Sequence, residues 1–348
     1  ADDLWPGQWI AVRAALTPPP APVMPGAFDF GRAAWFQGIG ATGYALSKAE
    51  AAAPARPLTL IEEAAAAMGE ARLVIARRIR DRIPGPEGAI AAALIAGDRS
   101  FIPRADLDAM RDSSLAHLLS ISGLHMAIVA LGLFGFARTM MALVPRLALD
   151  YPVKIWAAVF APLGATAYLA LSGAAVPTVR SYIMIALMLI AVMLDRQAIS
   201  LRVVAISAAL ILLATPESLL DPSFQMSYAA VIALVAAYEA LADWRARRGR
   251  TPDEHGALMR LALYIGGIAF TSLVAGTATA PFSGFHFGRY ATYGLAANVL
   301  AMPVVGLIVM PCGIVAMLLM PFGLEAWPLQ AMAAGIDAML GVAHWVAA

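Results

Sequence analysis

The chain has 348 residues and a formal net charge of +1, with 61% hydrophobic and only 14% charged residues. Its mean hydropathy is +0.75. Soluble domains are roughly half apolar and a quarter charged, so this composition excludes an ordinary soluble domain and predicts a polytopic membrane protein. The single cysteine, Cys312, excludes an internal disulfide and a cysteine metal cluster, and we expect it to be a small apolar filler.

The N-terminal 58 residues contain no segment long and apolar enough to cross a membrane. "GQWIAVRAAL" is typical of a strand, "TPPPAPVMPG" of a proline-rich turn or linker, and "WFQGIGATGYAL" of a second pair of short strands. This pattern predicts a partial β region over residues 1–58. The opening residues lack the features of a secretory signal peptide, so we expect the sequence to begin inside a domain.

Residues 59–114 are predicted to be a bridge into the membrane core. Residues 59–83 are rich in helix formers and precede Pro84, which favours a helix that ends there. Apolar side chains share this helix with five arginines, Arg72, Arg77, Arg78, Arg80 and Arg82. The pattern predicts a basic amphipathic helix that lies on a membrane or a partner. The apolar run 88–97 is too short to span and predicts a buried or re-entrant helix.

Residues 115–348 are predicted to form a mainly α-helical bundle of about eight membrane spans. The apolar runs are 117–144, 154–172, 178–194, 201–214, 223–242, 259–280, 293–319 and 325–347. Pro303 and Pro311 are expected to break the seventh run, and the fourth is short. Broken or short helices are tolerated at membrane depth where they pack in protein or line a wet cavity.

The distribution of basic residues predicts the orientation of this bundle. The first, third and fifth connections contain Arg146, Lys154, Arg196, Arg202, Arg245, Arg247, Arg248, Arg250 and Arg260. The alternate connections contain only Arg180 and Arg289. Because cytoplasmic loops are enriched in lysine and arginine, we expect the first set to be cytoplasmic. The N-terminal region and His117 are then expected on the outer face.

One short stretch, "LAHLLSISGLHMAIVALGLF", combines His117, Ser120, Ser122 and His125 with a long apolar run. On a continuous helix the two histidines would lie about 12 Å apart along the axis, which is too far for one metal ion. Gly123 is expected to kink or break the helix. Unpaired polar groups are expensive in hydrocarbon. The cluster therefore predicts either a hydrogen-bonded seam between helices or the lining of a pathway, with a metal site as the weakest alternative.

Further candidates lie within or beside apolar stretches. They are Pro177, at a probable helix start, and the polar residues Arg180, Asp221, Gln225, Ser227, His286, Arg289 and Asn298. Arg180 lies one turn into a predicted helix, where an arginine either extends to the membrane interface or contributes to a site. Asp221 is expected to cap the following helix. Gln225 lies inside the span, and His286 is expected in an outer loop.

The sequence lacks the motifs that are typical of several enzyme classes. There is no Walker phosphate loop, dinucleotide glycine fingerprint, HExxH helix or GxSxG elbow. We therefore expect no ATP motor within the chain, no cofactor and no metal. Any transport would be driven by a gradient or by a partner.

"HLLSISGLHMAIVA" resembles the signature of the ComEC family of competence proteins. The similarity continues, in the family's order, through "PTVRSYIM", "DPSFQMSYAAVIAL" and "TATAPFSGFHFGRYATYGLAANVLAMPVV". "PGAFDFGRAAWFQGIGATGYA" resembles the end of the family's extracellular OB-type domain, and "LIAGDRSFIPRADLDAMRDSSLAHLL" resembles its bridge to the membrane core. The residues that match the family's motifs are His117, Ser120, Ser122, Gly123, His125, Pro177, Arg180, Phe224, Gln225, Ser227, His286 and Asn298.

The resemblance implies a channel in the bacterial inner membrane that passes single-stranded DNA to the cytoplasm. It implies a separate DNA receptor outside, a helicase or ATPase inside, contact with the lipid bilayer and a homo-oligomer as one possible assembly. The arginines of residues 72–82 and Arg289 are then expected to contact the DNA. These residues contain no histidine- and aspartate-rich metal string like that of the family's metallo-β-lactamase-like domain, so we do not expect the resemblance to carry over nuclease activity.

Two alternatives stay open beside this interpretation. Broken helices and the absence of a motor also favour a secondary transporter of small solutes. An intramembrane enzyme would use His117 and His125 as acid and base.

Overall fold

The computed structural model describes residues 4–24, 29–119, 121, 123–247, 256–288 and 293–348. The chain divides into two compact units, residues 1–71 and 72–348. The fold is mainly helical, and the described strands all lie in the first unit. The predicted fold class, a helical membrane bundle with a small N-terminal β region, is confirmed.

The first unit contains two small antiparallel ladders. Its elements are β1 (Ile10–Ala11), β2 (Ala14–Thr17), α1 (Phe30–Phe36), β3 (Thr42–Ala45), β4 (Glu50–Ala51) and the start of α2 (Leu60–Arg82). β1 pairs with β4, and β2 pairs with β3. The strands expected in this region are present, but residues 30–36 are helical. Asp29 explains that difference, because its carboxylate caps α1 by accepting a hydrogen bond from the Arg32 N–H at 2.9 Å.

Helix α2 begins with a capping box. The Glu62 N–H donates to the Thr59 hydroxyl at 3.3 Å, and the Glu62 carboxylate accepts from the Thr59 N–H at 2.9 Å. The Arg56 guanidinium holds the same carboxylate at 2.6 and 2.8 Å. The helix ends at Arg82, two residues before Pro84, so the helix predicted over residues 59–83 is confirmed.

The second unit contains the end of α2 and the remaining helices. These are α3 (Pro86–Ala96), α4 (Arg104–Asp112), α5 (Ala116–Leu119), α6 (Gly123–Ala142), α7 (Pro145–Asp150), α8 (Val153–Leu171), α9 (Val176–Met193), α10 (Leu201–Ala214), α11 (Pro222–Arg247), α12 (Ala257–Phe287), α13 (Gly294–Val304), α14 (Met310–Leu319) and α15 (Ala326–Ala347). Pro216–Leu220 and Met320–Phe322 form 3₁₀ turns, and Val305–Val309 forms a π-helical segment between α13 and α14.

Six helical stretches within the described residues are long and apolar enough to cross a membrane. They are Gly123–Ala142, Val153–Leu171, Val176–Met193, Pro222–Arg247, Leu258–Phe287 and Gly294–Phe322. The protein is therefore a multi-pass membrane protein. The predicted spans at 201–214 and 325–347 are helical, as α10 and α15, but are not among the six. The total of eight spans stays a prediction.

Of the two runs that were expected to be interrupted, one breaks where predicted and the other does not. The run predicted over 117–144 is divided into α5 and α6, and α6 begins at Gly123, so the expected break there is present. The continuous-helix spacing of His117 and His125 therefore does not apply. In the seventh run the chain stays helical through Pro303 and Pro311. The π-helical segment between them accommodates the irregularity, because proline removes an i to i−4 hydrogen bond.

Helix α3 lies at the centre of the second unit's main hydrophobic core. Every residue from Gly88 to Ala96 is buried, and α4, α13, α14 and α15 contribute to the same cluster. The Tyr168 hydroxyl of α8 donates to the Leu94 carbonyl at 2.9 Å. The prediction of a short buried helix is confirmed.

Candidate functional site

One set of ends of the long helices in the second unit lies on the same side of the bundle. Helices that follow each other through short connections run antiparallel and pack together, as α8 does with α9 and α10 with α11. The N-terminal ends of α6, α9, α11 and α13 and the C-terminal ends of α8, α10 and α12 therefore share one end of the bundle. We call this the motif end, because most of the polar motif residues lie there.

The break before α6 is bound to the first turn of α9. The Ile121 carbonyl, exposed by the break, accepts a hydrogen bond from the buried Thr178 hydroxyl at 3.2 Å. A Cβ on Gly123 would lie 3.6 Å from the Ser181 hydroxyl oxygen. Pro177 suits the start of α9, where no intrahelical donor is needed. The predicted motif residues Gly123 and Pro177 are thus brought together.

Arg180 is buried between α9 and the start of α11. The residue is only 3% exposed, and its Nη2 donates to the Ser223 carbonyl at 2.8 Å and to the Ser223 hydroxyl. Its Nε and Nη1 have no hydrogen-bond partner among the described residues. The Asp221 carboxylate caps α11 by accepting from the Ser223 N–H at 2.7 Å. The guanidinium is therefore enclosed by protein and does not extend to an interface.

Gln225 connects α11 to the end of α12. Its Nε2 donates to the Leu219 carbonyl at 2.9 Å, and its Oε1 accepts from His286 Nε2 at 2.8 Å. His286 lies in the last turn of α12, so the expectation of a loop position was wrong. The helix continues to Phe287 and ends where Gly288 adopts a left-handed conformation at φ +63°.

The two histidines of the signature occupy different environments. His117 is exposed on α5, and its Nδ1 donates to the Ser114 carbonyl at 2.8 Å. His125 is completely buried in α6. No group of three or more metal-ligating side chains is found within the described ranges.

The remaining pathway candidates are less fully defined. Ser227 is half-buried on α11, one residue before the buried Tyr228. Asn298 is half-buried on α13, and its Oδ1 has no hydrogen-bond partner in the described part of the chain. Ser120, Ser122 and Arg289 lie outside the described residues.

Two of the α2 arginines bind one carboxylate. Arg78 forms a two-point contact with Glu325, at 2.8 Å from Nε and 2.9 Å from Nη2, and Arg82 Nε lies 3.5 Å from the same group. Glu325 is completely covered. The hydrogen bond from Arg78, followed by the Glu325 backbone N–H, holds the pKa of this carboxyl below its usual range.

Two further arginines of α2 bind other elements of the second unit, to which they themselves belong. Arg80 Nη1 lies 2.7 Å from Asp98 Oδ2, and its guanidinium stacks 3.7 Å above the Phe101 ring. Arg72 Nε donates to the Ala96 carbonyl at 3.0 Å. Within the second unit, these side chains thus bind residues 72–82 of α2 to neighbouring elements. Their contact with DNA stays a prediction, as does that of Arg77.

Sequence reasoning missed three of the polar residues that form these contacts: Thr178, Ser223 and Glu325. The first two lie inside motifs that were singled out, beside Pro177 and Asp221. A hydroxyl one residue from a predicted helix start was the available signal. Glu325 lies 247 residues from Arg78, so no local pattern connects them.

Comparison with known proteins identifies similar sequences. The sequence model of the family described as "Competence protein" matches residues 94–348, which include every described motif-end residue. The chain is 25% identical to ComE operon protein 3 of Bacillus subtilis (strain 168) over 239 residues, covering 68% of this chain and 27% of that protein. It is 37% identical to Competence protein ComA of Neisseria gonorrhoeae over 94 residues, covering 27% of this chain and 13% of that protein.

A third relative, Uncharacterized protein YcaI of Escherichia coli (strain K12), is 31% identical over 156 residues, 45% of this chain and 20% of that protein. The chain therefore covers between 13% and 27% of the length of these three relatives. No solved structure matches the chain.

Proposed function

The chain belongs to the competence protein family, and from this premise we propose that its helical unit conducts single-stranded DNA across the bacterial inner membrane during natural transformation. One observation carries the proposal. Polar side chains from α9, α11 and α12, and the freed backbone before α6, meet at the motif end through direct hydrogen bonds. A polyanion cannot cross hydrocarbon, so polar helix faces must enclose its route.

The chemistry of the motif end suits an entrance for a phosphate chain. Arg180 supplies a permanent positive charge, and its Nε and Nη1 have no hydrogen-bond partner among the described residues. The first turns of α9 and α11 add the positive ends of their helix dipoles. An opening between α9 and α11 would let a phosphate oxygen accept from the two free donors.

Arg180 is the residue on which we test the proposal. We expect Arg180→Gln to lower the frequency of transformation by marked DNA by about tenfold or more, because a hydrogen bond to a charged group contributes roughly 1.5–3 kcal/mol. The frequency is measured in cells that carry the native gene with this single change. The amount of protein in the membrane is measured with an epitope tag.

Lys154→Gln is the matched control, because it also removes one cation, at the opposite end of the bundle. Lys154 forms an exposed ion pair with Asp195 at 3.1 Å. Such pairs contribute roughly 0–1 kcal/mol, so this variant is expected to transform normally. Equal transformation by the two variants at equal membrane levels would contradict the assigned role of Arg180.

The partners and the location are part of the same proposal. We place the protein in the inner membrane with the motif end outside, supported by the basic residues at the opposite end, such as Arg146, Arg196 and Arg202. The sequence has no phosphate-loop motif. Membership of the family is our ground for also proposing a separate DNA receptor outside, a helicase or ATPase inside and a homo-oligomeric assembly.

A second candidate, a secondary transporter of small solutes, is favoured by the π-helical segment Val305–Val309. Transporters often place their substrate at such interruptions of a membrane helix. Purified protein in proteoliposomes separates the two functions. Solute flux that is independent of DNA would support the transporter, and retention of solutes would support the DNA channel.

A further inference from the structure

Helix α12 lies beside an open groove on the surface of the bundle. The helix is long and apolar enough to cross the membrane, and none of its described side chains is buried. The groove runs between α12, α11 and the π-helical segment and has a volume of about 470 Å³. Tyr238, Leu263 and Tyr264 on its rim are 44%, 49% and 44% exposed. At the depth of a spanning helix, such an opening faces lipid chains. We call it the α12 groove.

The wall of the α12 groove is mostly carbon. Its apolar side chains are Leu124, Leu263, Ile268 and Met302. Two of the hydroxyl groups that border it are already used within the protein. The Thr271 hydroxyl donates to the Gly267 carbonyl at 2.8 Å, so the Tyr238 hydroxyl, 2.7 Å away, donates to Thr271. The groove therefore suits a hydrocarbon chain better than a polar solute.

Two glycines make room in this groove. Gly267 of α12 and Gly306 of the π-helical segment both line it, and a Cβ added to either would meet no neighbouring atom within 4 Å. A gap that nothing fills forfeits the dispersion contacts of the atoms around it. The volume is within the roughly 300–1,000 Å³ of pockets that hold small organic ligands. In a membrane, the atoms available to fill such a space are those of lipid chains.

One end of the α12 groove carries positive charge. Arg260 precedes Tyr264 by four residues and Gly267 by seven. At about 100° of rotation per residue, the three lie within an arc of roughly 60°. On α11, Arg245 follows Tyr238 by seven residues and lies on the same face. Both arginines are exposed, at the basic end of the bundle where α11 ends and α12 begins.

The acidic residues of the same part of α11 lie on another face. Glu239 and Asp243 are about 100° and 140° around the helix from Tyr238. The side of α11 that continues the groove is therefore positively charged. It attracts an anionic group at this end.

We propose that the α12 groove binds one acyl chain of an anionic phospholipid, with the phosphate of its headgroup at Arg245 and Arg260. The inference is independent of the proposed function. Basic pockets between membrane helices bind anionic headgroups. Tyr264 stands one turn from Arg260, and tyrosine rings are typical of the headgroup level, where one end is apolar and the other wet.

The length of the groove matches one leaflet. Thr271 lies eleven residues beyond Arg260, which is about 16 Å along the helix axis. The hydrocarbon of a single leaflet is about 15 Å thick, half of the core of a bilayer. A chain whose phosphate lies at Arg260 therefore reaches the part of the groove that Thr271 lines.

Native mass spectrometry of the purified full-length protein tests the inference. The protein is stripped of lipid in detergent and titrated with phosphatidylglycerol or with phosphatidylcholine that has the same acyl chains. We expect phosphatidylglycerol to bind about tenfold more tightly or better, because basic residues near the phosphate each strengthen binding several-fold. Equal affinity for the two lipids would overturn the proposal.

Gly267→Leu tests whether the groove is the binding site. The added side chain occupies the open space, so this variant is expected to bind phosphatidylglycerol several-fold more weakly. Gly266→Leu is the matched control. Gly266 also has no neighbouring atom within 4 Å of an added Cβ, but it does not line the groove. Leucine suits the helix equally at both positions. Equal lipid binding by the two variants would show that the lipid lies elsewhere.

A pair of double variants tests the headgroup position. Arg245→Gln with Arg260→Gln is expected to lose the preference for phosphatidylglycerol over phosphatidylcholine. Arg196→Gln with Arg202→Gln removes two exposed cations from the same end of the bundle, beside α9 and α10. This control should keep the preference. Unfolding midpoints without lipid verify that all variants are folded, and loss of the preference in both pairs would contradict the assigned position.

The same spectra distinguish a lipid from a second copy of the chain. A copy seated in the α12 groove would give a dimer that Gly267→Leu abolishes and that added phosphatidylglycerol leaves intact. That result would overturn the proposal. A lipid-bound protein whose occupancy falls in Gly267→Leu and not in Gly266→Leu would support it.

Discussion

At the scale of single residues, Arg72 was expected on an exposed basic surface, but its side chain stabilises the fold. Its guanidinium lies against the C-terminal ends of α3 and α8. It donates to the Ala96 carbonyl at 3.0 Å, and a Cβ on Gly173 would lie 2.5 Å from its Nη2. Cations stabilise helix C-termini, where carbonyl groups are unpaired. Arg72 therefore stabilises the C-terminal ends of two helices with one side chain.

The contact between Arg72 and Gly173 predicts how the methyl group of a Gly173→Ala variant would affect stability. Gly173 has φ +87°, where an alanine is disfavoured by roughly 1–2 kcal/mol. Gly173→Ala would also displace Arg72, so we expect a larger loss of stability than the backbone alone explains. Gly323→Ala is the control, since Gly323 has φ +74° with no atom within 4 Å of the added carbon. Thermal unfolding of the two variants in detergent gives the comparison, and equal midpoints would show that Arg72 moves without cost.

Residue identity alone did not indicate these contacts. Five arginines on one amphipathic helix predict a basic surface, and the same letters fit a surface that binds lipid, DNA or protein. The sequence does not indicate which groups accept hydrogen bonds from these arginines. A helix C-terminus such as Ala96 binds through its backbone carbonyl, which every residue has. Asp221, in contrast, was predicted as a cap because that role depends on its side chain.

At the scale of secondary-structure elements, Glu325 joins α2 to α15. Its carboxylate stands just before the first turn of α15 and receives both Arg78 and Arg82. A negative charge at a helix N-terminus is favourable, and the arginines add charge-assisted hydrogen bonds. The contact thus fixes the beginning of one helix against the end of another that lies far away in sequence.

This contact predicts a dependence of stability on pH. Arg78 holds the pKa of Glu325 below its ordinary value of 4.5. The folded state therefore binds the proton less tightly than the unfolded state does. The stabilisation is complete at neutral pH and is lost as the pH falls below about 4.5. We expect Glu325→Gln to lower the unfolding midpoint at pH 7 and to match the wild type at low pH.

A double-mutant cycle identifies the partner. Arg78→Gln alone should lower the midpoint at neutral pH, and the double variant with Glu325→Gln should lose less than the sum. Strict additivity, or a Glu325→Gln effect that is the same at pH 7 and at low pH, would show that the pair does not carry the effect.

A helix or a helix break could be predicted from the sequence where residues within a few positions determine it. The helix before Pro84, the buried α3 and the break at Gly123 each follow from residues within a few positions. The π-helical segment was not predicted, because prolines at 303 and 311 are equally compatible with a broken helix.

At the scale of the whole second unit, charge and polarity are separated between the two ends of the bundle. The motif end gathers the hydrogen-bonded polar residues of α9, α11 and α12. The opposite end includes Arg146, Lys154, Arg196 and Arg202. A channel for a polyanion benefits from this arrangement, since the strand would enter among hydrogen-bond donors and leave toward a basic surface.

The charge bias predicts which end faces outward, and cysteine labelling tests it in a Cys312→Ala background, which removes the one native cysteine of the sequence. Glu217 lies in the turn between α10 and α11 at the motif end, and Gln197 lies in the loop between α9 and α10 at the opposite end. Because basic loops stay in the cytoplasm, an impermeant maleimide should label Glu217→Cys in intact cells. Gln197→Cys should react only after the cells are permeabilised. The reverse pattern would invert the bundle, place the polar entrance in the cytoplasm and contradict inward passage from the motif end.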